Sequence, residues 1–404
     1  MSGKWPGGFI TKTAPTVVGP VDGEGGSASG VWTLDQVADY EKQGLWPKPL
    51  IAREFYSWGL NNFGQLGSSN TSNRSTPGRV GSLTNWKNQN AGVYHTVAVK
   101  QDGTLWAWGK NGDGQLGLGD TTNRSSPVQV GALTTWLDVA AGYSHSIAIK
   151  TDGTLWAWGE NNYGQLGTGT GSGNTSSPVQ VGALTTWAKV AKNLERQSLA
   201  INTSGRLYAW GWNAYGQLGL SDTTNRSSPV QVGGDIWQSV SGSDQNSTGV
   251  TITNRLYTWG SGQFGQLGLN TTANRSSPSQ VGSLTNWSVS VTGNSSSMSA
   301  IKTDGTLWGW GNNGSGQIGN TSTVSTSSPV QVGALTTWLE IAAGSSFRLS
   351  VKTDGTLWSW GVNTFGQLGT SNTTNYSSPV QVGSETTWLK IEAGDNWSIA
   401  TKIQ

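Results

Sequence analysis

The chain has 404 residues, with 59 glycines, 23 tryptophans, two histidines, no cysteine, 11% charged residues and a net charge of +2. Those figures argue against a disulfide-stapled fold, a zinc or iron–sulfur centre, and a nucleic-acid binder carrying a basic stripe or tail. No stretch reaches the roughly 18–20 apolar residues of a membrane span, and the opening MSGKWPGGFITKT has no apolar run for Sec-type export.

Residues 1–50 differ in composition and pattern from the remainder of the chain. Met1 to Gly30 is rich in Gly, Pro, Ser and Thr and reads as extended or adaptable chain. The stretch VWTLDQVADYEKQGLWPKP then predicts a short helix. Thr33 and Gln36 form a capping-box pattern, Asp35 lies in the first turn, Gly44 fits the stop and Pro47 comes three residues later. So short a helix is marginal alone. Its aromatic residues Trp32, Tyr40 and Trp46, together with Trp5, are expected to anchor this segment to something else.

Residues 51–404 carry an internal repeat. Trp-Gly recurs at Trp58, Trp108, Trp158, Trp210, Trp259, Trp310 and Trp360, a period of about fifty residues that repeats seven times. One copy reads TLWAWGKNGDGQLGLGDTTNRSSPVQVGALTTWLDVAAGYSHSIAIK, from Thr104 to Lys150. It divides into four short strands. LWAWG alternates in a period of two, PVQVG comes after a turn-rich loop, and WLDVAAG and HSIAIK supply two more apolar segments. Asp-Gly links the last segment to the next LWAWG, which predicts a type I′ hairpin turn. Four antiparallel strands in seven copies predict a seven-bladed β-propeller, an all-β fold. The first copy lacks two leading strands and the last has a surplus, WLKIEAGDNWSIATK. A blade split between the two ends is therefore expected to close the ring.

GQLG after WGxNxxG, then SSPVQV, AGxxHS and KTDGTLW, resemble the repeats of the regulator of chromosome condensation family across about 350 of the 404 residues. The resemblance implies seven blades; it implies little about function, because the fold hosts many roles. The family's founding member acts in guanine-nucleotide exchange and binds chromatin with a basic tail. The tail is absent here, and exchange activity is not expected. One plant branch senses UV-B light through tryptophans in a repeated GWRHT motif. The matching segments here, GVYHT at Gly92 and GYSHS at Gly142, lack that tryptophan, so photoreception is not expected either.

Eighteen of the 23 tryptophans fall at periodic positions, which assigns them to packing between blades. His95 and His145 share one repeat column, whose other occupants include Trp397. A metal between the two histidines has no carboxylate beside it in the pattern, so a hydrogen bond to neighbouring backbone is the favoured role. No nucleophile–base set or carboxylate pair stands outside the repeat, and neither catalysis nor a cofactor is expected. Variable loop positions on a regular scaffold are where binding is sought. The candidates are Tyr163, Trp212, Tyr215, Phe264 and Phe365, with His95, His145 and Trp397 added from the histidine column.

The head, GKWPGGFITKTAPT and ASGVWTLDQVADYEKQGLWP, is similar to the head of predicted structural proteins of marine tailed phages, particularly cyanophages. That resemblance implies a virion component on the particle exterior: a tail fibre, tail tip or capsid decoration. Residues 1–50 would hold other virion proteins, and the propeller would meet a host-surface glycan or protein, with a homo-oligomer in the particle compatible with this. Nucleic acid and membrane insertion are not expected. The alternative is a lectin-like adhesin, bacterial surface-bound or secreted.

Overall fold

The computed structural model describes residues 52–192, 194–293 and 296–403, together with two short strands near the N-terminus. Those two, Val17–Val18 and Ser27–Ala28, pair antiparallel, with Val17 opposite Ala28. The helix expected after Thr33 and the anchoring residues Trp5, Trp32, Tyr40 and Trp46 lie outside the described residues. By contacts the chain divides into Met1–Ala52 with Gln404, and Arg53–Ile403.

Arg53–Ile403 is a seven-bladed β-propeller, each blade a four-stranded antiparallel sheet. The blade 2 strands run Trp86–Ala91, His95–Lys100, Leu105–Gly109 and Arg124–Gln129 from the central channel outwards, and blades 3 to 7 repeat them in chain order. Blade 1 is the split one: Trp388–Ala393 and Trp397–Ile403 from the C-terminal side pair with Arg53–Gly59 and Arg74–Arg79. Its seam is continuous, from Arg53 opposite Ile403 to Gly59 opposite Trp397, so neither strand keeps an open edge there.

The Asp-Gly links depart from the expected turn. The Lys100 carbonyl accepts the Gly103 N–H, and only the glycine, at φ 77°, enters the left-handed region. A type I′ turn needs two such residues. The aspartate instead turns its carboxylate back, Asp102 Oδ1 accepting from the Thr104 N–H at 3.0 Å and the Thr104 hydroxyl at 2.7 Å, which holds a longer loop closed by a glycine bulge.

One hydrogen bond staples every seam. The indole Nε1–H of each Trp-Gly tryptophan donates to the backbone carbonyl of the GQ glutamine in the preceding blade. Trp108 reaches Gln65 at 2.9 Å, Trp259 reaches Gln217 at 2.8 Å, and Trp58 of blade 1 reaches Gln367 of blade 7 at 2.9 Å. In most blades a serine or threonine hydroxyl donates to the same carbonyl, as Ser247 does to Gln217 and Ser398 to Gln367. The glycine after the tryptophan is equally constrained. Gly109 sits at φ 106°, and a Cβ there would fall 2.5 Å from the Tyr94 carbonyl oxygen.

Candidate functional site

The first and third strands of each blade finish at the same end of the propeller, so the loops after them share that end. These loops are rigid at their roots. In the third-strand loop a buried asparagine, Asn111, accepts the Leu116 N–H at 2.9 Å, while Gln115 Oε1 accepts the Asp113 N–H at 2.9 Å. The loops after successive first strands also bond around the ring, the Val93 N–H to the Gly142 carbonyl and the Tyr143 N–H to the Glu195 carbonyl. A variable side chain at this end is therefore presented in a fixed position.

Across blades 1 to 4 those side chains form one run of rings and cations. Phe63 meets Tyr94 edge-on at 5.2 Å, and Tyr94 meets Tyr143 at 6.0 Å. The Lys110 ammonium lies 5.5–5.8 Å from the centroids of all three rings. The Arg196 guanidinium sits between Tyr143, at 5.3 Å, and Trp212, at 5.4 Å, and pairs with Asp244 at 2.9 Å. Trp212 then contacts Tyr163 at 5.9 Å and Tyr215 at 5.6 Å. All of these rings are half-buried. Burial raises the Tyr94 phenol above its usual range, and Asp395, Tyr143 and Glu195 add to the effect. Burial likewise raises Asp244, against the pull of Arg196.

The structure thus brings together Tyr163, Trp212 and Tyr215 from the residues expected to bind. It adds Phe63, from the column of Tyr163 and Tyr215, Lys110, from the column of Trp212, and Tyr94, Tyr143 and Arg196 from the loops after the first strands, where the sequence carries no binding signal. Phe264 is exposed in the blade 5 loop and Phe365 half-buried in that of blade 7. Neither has a ring partner among the described residues.

His95, His145 and Trp397 are fully buried inside the ring. His95 Nε2 lies 2.8 Å from Ser146 Oγ, and His145 Nε2 lies 2.8 Å from Ser198 Oγ, each serine belonging to the next blade. Both hydroxyls donate onward to a glutamine carbonyl, which leaves their oxygens to accept the imidazole N–H. Desolvation lowers His95 to about 3 and His145 to about 4, so both are neutral latches between blades. Trp397 donates its indole N–H to the Val93 carbonyl at 3.1 Å. Among the described residues no three metal-ligating side chains come together.

The channel wall holds a second polar group. Lys192 of blade 4 lies 2.8 Å from Glu392 of blade 1, and Asn90 donates to the same carboxylate at 3.2 Å. Burial and then Glu392 push Glu340 up to about 8, while Lys390 and Lys192 pull the other way. These groups brace the inner strands against each other.

Fold and site together define a ring displaying an aromatic and cationic face. The sequence matches the regulator of chromosome condensation (RCC1) repeat at residues 54–99, 102–149, 152–192, 204–250, 253–299, 304–351 and 354–401, and the chain belongs to that family. Human WBSCR16 has the same fold at a TM-score of 0.78, with 21% identity over 87% of this chain and 99% of that one. Yeast RCC1 (Prp20), in its structure with Kap60, superposes at 0.77, with 18% identity over 88% of this chain and 89% of that one. The Arabidopsis thaliana ultraviolet-B receptor UVR8 is 46% identical over 37 residues, which span 9% of this chain and 8% of the receptor. These relatives correct the function expected from the head segment. They are RCC1-type propellers and a plant receptor, and nothing in them points to a phage virion component or a lectin-like adhesin.

Proposed function

We propose that this chain is a non-catalytic docking propeller that binds a partner protein on the loop-bearing end of blades 1 to 4. The observation that carries this reading is the continuous run from Phe63 through Lys110 and Arg196 to Trp212 and Tyr215. Half-buried tyrosine, tryptophan and arginine side chains, held by a rigid frame, are the residues that dominate protein–protein binding energy. Pre-ordered loops also reduce the entropy lost on association. A related propeller supports the reading: yeast Prp20 is known bound to Kap60, and Prp20p is described with its binding to Gsp1p and histones.

The test is photo-crosslinking from a benzoylphenylalanine placed at Trp212, compared with one at Leu339, which is 60% exposed at the other end of an inner strand. A discrete adduct from position 212, absent from 339 and lost when Tyr143 and Arg196 are changed to alanine, is the expected result. Equal labelling from both positions, or none from 212, would remove the proposal.

A further inference from the structure

A different feature lies on the outer flank of the seams. Each inner strand opens on a tryptophan, each second strand ends near a lysine in most blades, and each third strand carries an aromatic residue two places before its Trp-Gly. In blade 3 these are Trp136, Lys150 and Trp156; in blade 6 they are Trp287, Lys302 and Trp308. The two rings stand edge-on at 6.2 Å in both blades. The ammonium of Lys150 lies 3.6 Å from the centre of Trp156 and 4.9 Å from that of Trp136; Lys302 repeats this at 3.7 and 5.0 Å.

A cleft opens beside each of these lysines. At the seam of blades 2 and 3 it measures about 390 Å³ and is walled by Leu118, Leu133, Trp136, Trp156 and Pro178. At the seam of blades 5 and 6 it measures about 430 Å³, with Leu269, Leu284, Trp287, Trp308 and Pro329 in the same places. These sizes fall within the range of about 300–1,000 Å³ typical of small-molecule pockets, and concave walls of aromatic and aliphatic carbon around one charged group are their usual make-up.

The seam of blades 7 and 1 shows what such a lysine takes as a partner. There the position of Leu133 and Leu284 is occupied by Glu385, and its Oε2 lies 2.7 Å from Lys402 Nζ. The remaining seams lack part of the set: Asn320 stands where Leu118 does, Asn202 and Thr251 stand where Lys150 does, and Lys100 lies 3.8 Å from Asp102. At Lys150 and Lys302, more than nine-tenths buried, no carboxylate lies within salt-bridge distance among the described residues. The Asp152 and Asp304 carboxylates near them are turned onto Thr154 and Thr306. The titration of the lysines agrees with this contrast. Desolvation lowers Lys150 and Lys302, whereas at Lys402 the hydrogen bonds to Glu385 and Tyr56 outweigh desolvation and raise it.

We infer that the seams of blades 2/3 and 5/6 are binding sites for a small carboxylic acid with an apolar body. Its carboxylate takes on Lys150 and Lys302 the place that Glu385 takes on Lys402, and its body lies against the leucines and the paired tryptophans. The sites use other columns of the repeat than the docking face, although Leu118 lies in the same third-strand loop as Lys110.

The experiment is a calorimetric titration of the full chain with 3-phenylpropionate and with 3-phenylpropionamide, accompanied by tryptophan fluorescence. The acid is expected to bind at two equivalent sites, and the amide at least ~10-fold more weakly, because a charge-assisted hydrogen bond is lost. Changing Leu133 and Leu284 together to glutamate installs at both seams the carboxylate that Glu385 supplies at the third. Both leucines are about half exposed, at 50% and 46%, so the fold is retained, and binding of the acid should disappear. Equal affinity for acid and amide, no binding of either, or unchanged binding in the double glutamate variant would overturn the inference.

Discussion

Two donors converge on one buried carbonyl at most seams, and that convergence has a measurable signature. In blade 5, Ser247 Oγ donates to the Gln217 carbonyl at 2.9 Å and Trp259 Nε1 donates to the same oxygen at 2.8 Å, both side chains being fully buried. Changing Ser247 to alanine removes one bond and leaves the oxygen satisfied by the indole, at a cost of about 1 kcal/mol. Changing Trp259 to phenylalanine removes the other and opens a small void beside Trp237, at a cost of about 2–3 kcal/mol by the usual scale of core truncation. With both changes the oxygen is buried with neither donor, and an orphaned group costs about 1–3 kcal/mol beyond the lost bonds. The double variant should therefore be less stable than the sum of the singles by about 1–2 kcal/mol, well above the ~0.5 kcal/mol scatter of independent sites. Urea unfolding of the four proteins, monitored by far-UV circular dichroism, reads this coupling directly. Additive losses would refute the claim that the glutamine carbonyl is the common acceptor at the seam.

The same geometry gives three further expected outcomes. Glu340 holds a proton in the folded state up to about pH 8 that the unfolded chain releases near its ordinary value of 4.5, so its contribution to stability falls as pH rises through that window. Glu340→Gln should therefore melt higher than the parent at pH 8.5 and equally below pH 4.5; a gap that does not change with pH would contradict this. Gly109→Ala forces a Cβ to 2.5 Å from the Tyr94 oxygen at φ 106° and should cost more than about 2 kcal/mol, whereas Gly131→Ala, at φ 61° with open space around it, should cost only about 1–2 kcal/mol. Thermal melts of the two variants compare these costs, and equal losses would count against the seam contact. Removing Trp397–Ile403 exposes the edge of Arg53–Gly59 and should yield aggregating protein, while a circular permutant joining these strands and opened between the exposed Gly131 and Ala132 should stay soluble and melt cooperatively; soluble, cooperative behaviour of the truncation would refute the closure argument.

The ring is legible in the sequence because its signals are local and repeated. A period of fifty residues, two-residue alternation in LWAWG and glycine-closed links between strands each reflect backbone sterics that a short stretch of chain settles alone. Even the unmatched ends, FYSWG at the start and WLKIEAG at the finish, carry the closure, since open strand edges are costly. Where the local rule is incomplete the expectation fails: Asp102-Gly103 points to a I′ turn, but the Asp102 carboxylate bonds two residues onward and selects the longer loop. The binding face is another matter. Tyr94, Tyr143, Lys110 and Arg196 come from three columns of three repeats, with Tyr94 and Arg196 in one column, and the stacking of blades joins their side chains into one run of contacts at 5.3–6.0 Å. Lys150 differs: whether it meets a carboxylate is decided by the residue seventeen positions earlier in the chain, leucine at 133 and glutamate at 385, and the fold is what brings the two positions face to face. Pairing inside an unsplit blade joins segments adjacent in the chain, whereas the docking face depends on side chains about fifty residues apart whose distance the chain alone leaves open.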